Sequence, residues 1–425
     1  MHFKQLVPVS IAFFAGCQAC IHHYVLAPRL EDELAALRKR DVPVPVKTAI
    51  HNVRVFDGYV VGKPQTVIID GEYITDSDEN VEQTIDAGNR ILIPGLIDSH
   101  AHVQSVEGLE NMTSYGVTTI FDMACPNYEL CNSLKSNPGL ASLFVSMLPA
   151  LGPSGGNAKL NPVAPELLLY PGKDPKYLVD YAFGNGSDYF KIVNANTGGP
   201  TQEQQNELVE YAHSKGHFVV THAPSVSAYT QAVIARTDVL QHMPDDGLLS
   251  ACVIGSIKET GLASTPTVEI FRRAYTIQPE IIQFLRGNNT ANSTYEHVTE
   301  NVRHQHIAGV PILAGTDAVG NTVPGLYFPF GESLHQELVN LVTAGMTPAE
   351  ALRAATIVPA TVHRLNDRGV IRPGMRADLI LLNSDPLLNI SNTRDIARVW
   401  AGGVEYANVA KLMASSSQPK SRLHL

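Results

Sequence analysis

From Lys47 to Ile93, apolar and polar residues alternate in short runs (TAIHNVRVF, QTVIID, GEYIT, QTIDAG) punctuated by Asp-Gly pairs at Asp57 and Asp70. A period of two predicts strands, and Asp-Gly between them predicts hairpins. The pattern returns at GVIRPGMRADLILLN (369–383) and IARVWAGGVEY (396–406). Neither set has enough apolar surface to stand alone, so the two predict one small β-sandwich formed by both chain ends, 47–92 and 368–412.

Between them the pattern becomes apolar run, loop, amphipathic helix, repeated. The runs are 91–102, 117–124, 141–150, 188–195, 217–223, 238–244, 262–269 and 310–318, eight in all. Helical periodicity fills 201–215, 225–236 and a long stretch from about Phe271 to Ala308. Continuously apolar strands are those buried on both faces, so residues 93–367 predict an α/β fold of the (β/α)8 TIM-type barrel class. Residues 1–46 form a leader and 413–425 a tail outside this plan.

Composition narrows the function. A net charge of −10 with a pI near 5.9 provides no basic surface to neutralise a phosphate backbone, so nucleic acid is not expected as a partner. Five scattered cysteines do not make a disulfide scaffold, although Cys125 and Cys131 could join locally in a secreted protein. Leu6 to Ala19 has the apolar character of a short signal sequence and is too short to span a membrane. Residues 27–40 read either as a propeptide with a processing site after Arg40 or as a helical tail folded onto the body. Asn111, Asn185, Asn288, Asn292 and Asn389 begin N-x-S/T patterns, a small excess over the roughly three expected by chance. Secreted glycoprotein and cytoplasmic protein both stay open, as does homo-oligomer formation.

The chemistry lies at the predicted strand ends, which in such a barrel converge on one mouth. His100 and His102 end the first strand, Lys191 the fourth, His222 the fifth, His242 the sixth and Asp317 the eighth. Imidazole and carboxylate are the ligand set of a divalent metal such as zinc. On a strand, residues i and i+2 share a face, so His100 and His102 can chelate. A second H-x-H pair, His304 and His306, falls on a predicted helix, where i and i+2 diverge.

These residues stand in stretches that carry a resemblance. PGLIDSHAH (94–102), Phe190-Lys191, VVTHA (219–223), VLQH (239–242), AGTDA (314–318) and PGMRADLILLNSDPL (373–387) together resemble the amidohydrolase superfamily, in its imidazolonepropionase-like branch with prolidase-type peptidases and ochratoxin-type amidases. The resemblance covers about 47–412. It implies that His100, His102 and Asp317 hold one metal ion, that His222 and His242 hold a second, and that Lys191, carbamylated by carbon dioxide, bridges the two. It further implies a small-molecule substrate, with a metal-activated hydroxide attacking an amide, peptide-like or cyclic amide bond and Asp317 as general base. Lactone hydrolysis or a lyase step on the same metals, and a metal-free binding scaffold, are the competing readings.

Several loops bear on specificity. Residues 151–175 are Gly- and Pro-rich and long enough for a lid. Tyr327, Phe328 and Phe330 offer either an aromatic substrate wall or core packing, and Arg272 with Arg273 either a carboxylate clamp or a surface pair. Asp245 and Asp246 after His242 read as solvated loop acids or as partners of the metal site.

Overall fold

A computed structural model describes residues 30–135, 137–153, 163–194, 199–279, 292–323 and 326–409. The expected leader up to residue 29 and the tail beyond residue 409 lie outside the described residues.

The alternating segments at the two chain ends share one eight-stranded mixed sheet. Thr48–Phe56 pairs antiparallel with Val61–Asp70 and parallel with both Gln83–Asp86 and Ile91–Pro94. Leu379–Leu382 then lies antiparallel to Ile91–Pro94, with Ile380 opposite Ile93, and Ile396–Ala401 extends the sheet beyond it. The pleat sorts the side chains by parity. Leu379 and Leu381 join Ile50, Val53, Leu92 and Trp400 in the sheet's own core, while Ile380 and Leu382 face the main core of the molecule.

The middle of the chain forms two parallel sheets. Leu96–Ala101, Val117–Asp122 and Ser142–Val145 make the first, and Phe190–Val193, Val219–His222, Val239–Gln241 and Ala263–Thr265 make the second. All but Ser142–Val145 are buried along their whole length. Isolated parallel bridges join the sheets: Ala150 to Ile192, Ser264 to Ile312, and Ala101 to Ala318. The Leu313 amide donates to the Ser264 carbonyl at 2.8 Å and the Ser99 amide to the Ala314 carbonyl at 2.9 Å, so 312–318 runs between the last and first of these strands.

The run at 310–318 thus takes a strand's place while making only isolated bridges. Pro311 has no amide to donate. Gly315 sits so close to its neighbours that a Cβ there would lie 2.5 Å from Thr265 Cγ2 and 2.9 Å from the His100 nitrogen. Helices Gln202–Ser214 and Val226–Ala235 occupy the predicted positions, capped by Thr201 and Ser225. Among the described residues, the long helical stretch contains the helices Val268–Thr276 and Tyr295–Ala308, and residues 280–291 between them lie outside the described residues.

Leu30–Lys39 is a helix lying on the body, with Leu30, Ala36 and Leu37 against the main core. Glu33 Oε2 accepts the Val106 amide at 2.7 Å, placing a carboxylate at the start of helix Val106–Ser114. Cys125 and Cys131 are joined by a disulfide. No helix among the described residues is long and apolar enough to cross a membrane.

Candidate metal centre

The parallel strands deliver His100, His102, Lys191, His222, His242 and Asp317 to buried positions, none more than 2% exposed. His100 Nε2 lies 3.2 Å and His102 Nε2 3.1 Å from the same oxygen, Asp317 Oδ1. Ligand atoms around a tetrahedral zinc ion at about 2.0–2.1 Å sit about 3.3 Å apart, close to this spacing. His242 joins the group: one ligand atom each from His100, His242 and Asp317 lies within 4.8 Å of the others. The His242 ring centre is 4.6 Å from that of His100 and 4.5 Å from that of His222. Lys191 is fully buried and near enough for its charge to act on His100, His102, His242 and Asp317.

The imidazoles are oriented from behind. Gln241 Oε1 lies 2.8 Å from His100 Nδ1 and accepts its proton, and Thr267 Oγ1 lies 2.8 Å from His242 Nδ1. Each contact leaves an Nε2 for the centre. His242 Nε2 is buried with no hydrogen-bond partner among the described residues. Burial first, and the Lys191 charge second, push His100 and His102 down to about 3, and burial with the neighbouring His222 holds His242 well below the usual imidazole range. All three rings are therefore neutral near pH 7, the form that ligates metals. Burial raises the Asp317 carboxyl, against the pull of His100 and Lys191. With His100 protonated on Nδ1, its Nε2 lone pair faces a carboxylate oxygen, a contact that a cation between them would resolve. Donor set, spacing and buried nitrogen all fit a divalent ion.

Backbone geometry matters as much. Val239–Gln241 ends one residue before His242, which has φ 69°, and Asp317 has φ 64°. In a regular strand Gln241 and His242 would face opposite ways. The left-handed turn at His242 lets one residue hold His100 while the next joins the cluster. Such conformations cost on the order of 1–3 kcal/mol each and collect at functional sites.

Other predicted residues fall elsewhere. Asp245 is buried and accepts the Tyr275 hydroxyl at 2.9 Å, so it is not a solvated loop acid, while Asp246 caps Val226–Ala235 through the Val226 amide. Arg272 and Arg273 both grip the buried Glu269, at 2.6 and 2.8 Å. Phe328 is buried under the Arg273 guanidinium, and Tyr327 is exposed. His304 and His306 lie on Tyr295–Ala308 near Glu300 and Glu350. The expected lid falls partly outside the described residues. Its described part, with Val163 and Leu167, helps line a cavity of about 180 Å³ beside Ala124, Tyr128, Leu148 and Tyr181.

Sequence reasoning missed the residues that aim the cluster: Asp98, Gln241, Thr267 and Thr316. Gln241 and Asp98 were visible only as neighbours of histidines, and Thr267 carried no signal.

An α/β protein with a buried imidazole–carboxylate cluster at the ends of parallel strands is the class this fold and site define. The amidohydrolase family model matches residues 176–415, more than half of the chain, and the chain belongs to that family. The match includes Lys191, His222, His242 and Asp317; His100 and His102 precede it. An adenine deaminase from Gluconobacter oxydans is 25% identical over 374 residues, covering 84% of this chain and 58% of its own length. The chain thus spans little more than half of the curated relatives it matches. A solved Xaa-Pro dipeptidase with bound methionine superposes with a TM-score of 0.71 at 23% identity, covering 85% of this chain and 99% of that one. The A. niger ochratoxinase structure gives 0.67 at 18%, covering 86% and 96%.

Proposed function

We propose that the chain is a metal-dependent hydrolase of carbon–nitrogen bonds acting on an amide, peptide-like or cyclic amide group. Two divalent ions, zinc in type, would be held by His100, His102, Lys191, His222, His242 and Asp317 at the mouth of a (β/α)8 barrel spanning 93–367. Residues 47–92 and 368–412 would make up the accompanying β domain. The observation that carries the reading is the convergence of His100 Nε2 and His102 Nε2 on one Asp317 oxygen, at 3.2 and 3.1 Å.

Bound divalent ions supply Lewis acidity, lowering the pKa of water toward about 7 and polarising a carbonyl. Everything else falls to the chain. Neutral His100, His102 and His242 offer lone pairs without first losing a proton. Asp317 takes a proton from the attacking water and delivers it to the departing nitrogen. A buried ammonium among imidazoles is costly and repels cations. Addition of the neutral Lys191 amine to carbon dioxide would form an N–C bond and release one proton, and the resulting anionic carbamate would give Lys191 oxygen ligands for the ions.

The adenine deaminase relatives support a second reading, hydrolytic removal of an exocyclic amine. The chain covers almost all of the dipeptidase but little more than half of the deaminase, which favours the amide. Elemental analysis, coupled to a hydrolysis screen of dipeptides, Xaa-Pro dipeptides, N-acyl amino acids and adenine with and without chelator, tests both. About two divalent ions per chain and chelator-sensitive amide cleavage are expected. Ammonia release from adenine alone would favour the second reading, and a metal-free chain still inactive after zinc and bicarbonate are restored would overturn both.

A further inference from the structure

Next to His242 lies a buried hydrogen-bonded network that the proposed chemistry does not use. Glu337, on helix Glu332–Thr343, is 0% exposed and spends both carboxylate oxygens on consecutive backbone amides, accepting from Val268 at 2.9 Å and from Glu269 at 2.7 Å. These amides open helix Val268–Thr276. The preceding residue is Thr267, held at φ 49°, ψ 48°, an unfavourable conformation for a β-branched side chain, and its hydroxyl meets His242 Nδ1 at 2.8 Å. Glu269 is held in turn by Arg272, Arg273 and Asn340, the last one turn along from Glu337 on the same helix.

We infer that Glu337 is a positioning residue for the metal centre, acting through Thr267 on His242. Two amide contacts fix the backbone just after Thr267, and they offset the cost of its left-handed turn. That turn puts the hydroxyl where it orients the His242 ring. Without the carboxylate, the helix start loses two acceptors, Thr267 relaxes toward an ordinary conformation, and the ring loses its partner. Because Glu337 sits on the helix that follows Asp317, the same contact ties the ends of the sixth, seventh and eighth strand segments together.

The inference rests on the proposed metal site, so its test reads metal affinity directly, in the full chain, with Zn²⁺ alone and a competing chromogenic chelator. Glu337→Gln keeps the size but presents an NH2 to an amide that needs an acceptor. It is expected to weaken Zn²⁺ binding by about 10–100-fold, the usual range when a group orienting a metal ligand is lost. Thr267→Ala should weaken binding similarly, and Thr267→Ser, which retains the hydroxyl, should restore it. If Glu337 acts through Thr267, the double variant Glu337→Gln/Thr267→Ala loses no more than the worse single variant. Leu338→Ala, a buried neighbour on the same helix, gives a matched loss of Tm and should leave affinity unchanged. Zn²⁺ affinity of Glu337→Gln within about twofold of wild type, or additive losses in the double variant, would overturn the inference while leaving the proposed function intact. Should Glu337→Gln not fold, the Thr267→Ala and Thr267→Ser pair decides: equal affinities overturn it. A wild-type chain that binds no Zn²⁺ overturns both readings.

Discussion

The Asp98 carboxylate accepts the Thr316 hydroxyl at 2.8 Å and the Thr316 amide at 3.1 Å, across 218 residues of sequence. It also accepts the His100 amide at 3.1 Å, so one buried group fixes the backbone beside His100 and beside Asp317 together. Burial pushes this carboxyl up to about 7, against the pull of those donors. Thr316→Val leaves one Asp98 oxygen without its hydroxyl donor. The expected cost is roughly 1–3 kcal/mol of unfolding free energy, read by urea denaturation. A change below about 0.5 kcal/mol, the range of ordinary surface substitutions, would show that the bridge contributes little.

Asp317→Asn keeps the shape and removes the proton acceptor. Turnover is expected to fall roughly 10²–10⁴-fold. Lys191→Ala should also abolish activity and reduce the metal content, with the circular dichroism of both variants unchanged. Full activity in either would end the proposed mechanism.

Acid should destabilise the protein in part through two buried histidines outside the metal cluster. His335 is buried, with Nδ1 2.8 Å from Thr393 Oγ1 and Nε2 2.9 Å from the Tyr115 carbonyl, and burial depresses both His335 and His363 to about 3. Between about 6.5 and 3 the unfolded chain binds protons that the folded chain refuses. Their stabilising effect is therefore fully present above about 6.5 and is lost as the pH falls toward 3. The stability gap between wild type and His335→Gln should be widest near neutral pH and shrink on acidification. Thermal melts from pH 7 to pH 4 that show a constant gap would contradict this.

Removal of residues 1–40 should lower Tm, because Leu30, Ala36 and Leu37 pack on the core and Glu33 caps Val106. Glu33→Ala alone is expected to cost about 0.5–2 kcal/mol, as other helix caps do. Identical melting of the full and shortened chains would show that this helix is dispensable for stability.

Much of the strand plan was legible because burial writes a local signature. Parallel strands covered on both faces read as apolar runs, and the terminal segments alternate because their sheet shows a different core to each face. The histidines stood out because strand ends follow from those runs. The segment at 310–318 was legible as an apolar run but not as isolated bridges, since Pro311 and the close approach at Gly315 act through neighbours distant in sequence.

By itself, the sequence determined which residue types would gather at the strand ends, because side-chain parity and strand length are properties of consecutive residues. Only the tertiary structure decided how they face one another. His242 and Asp317 adopt left-handed backbone that their residue types do not announce, and Gln241, Thr267 and Thr316 were chosen from many similar polar residues by proximity alone. Hydrogen bonding across a folded core depends on distance and angle, and a local pattern records neither.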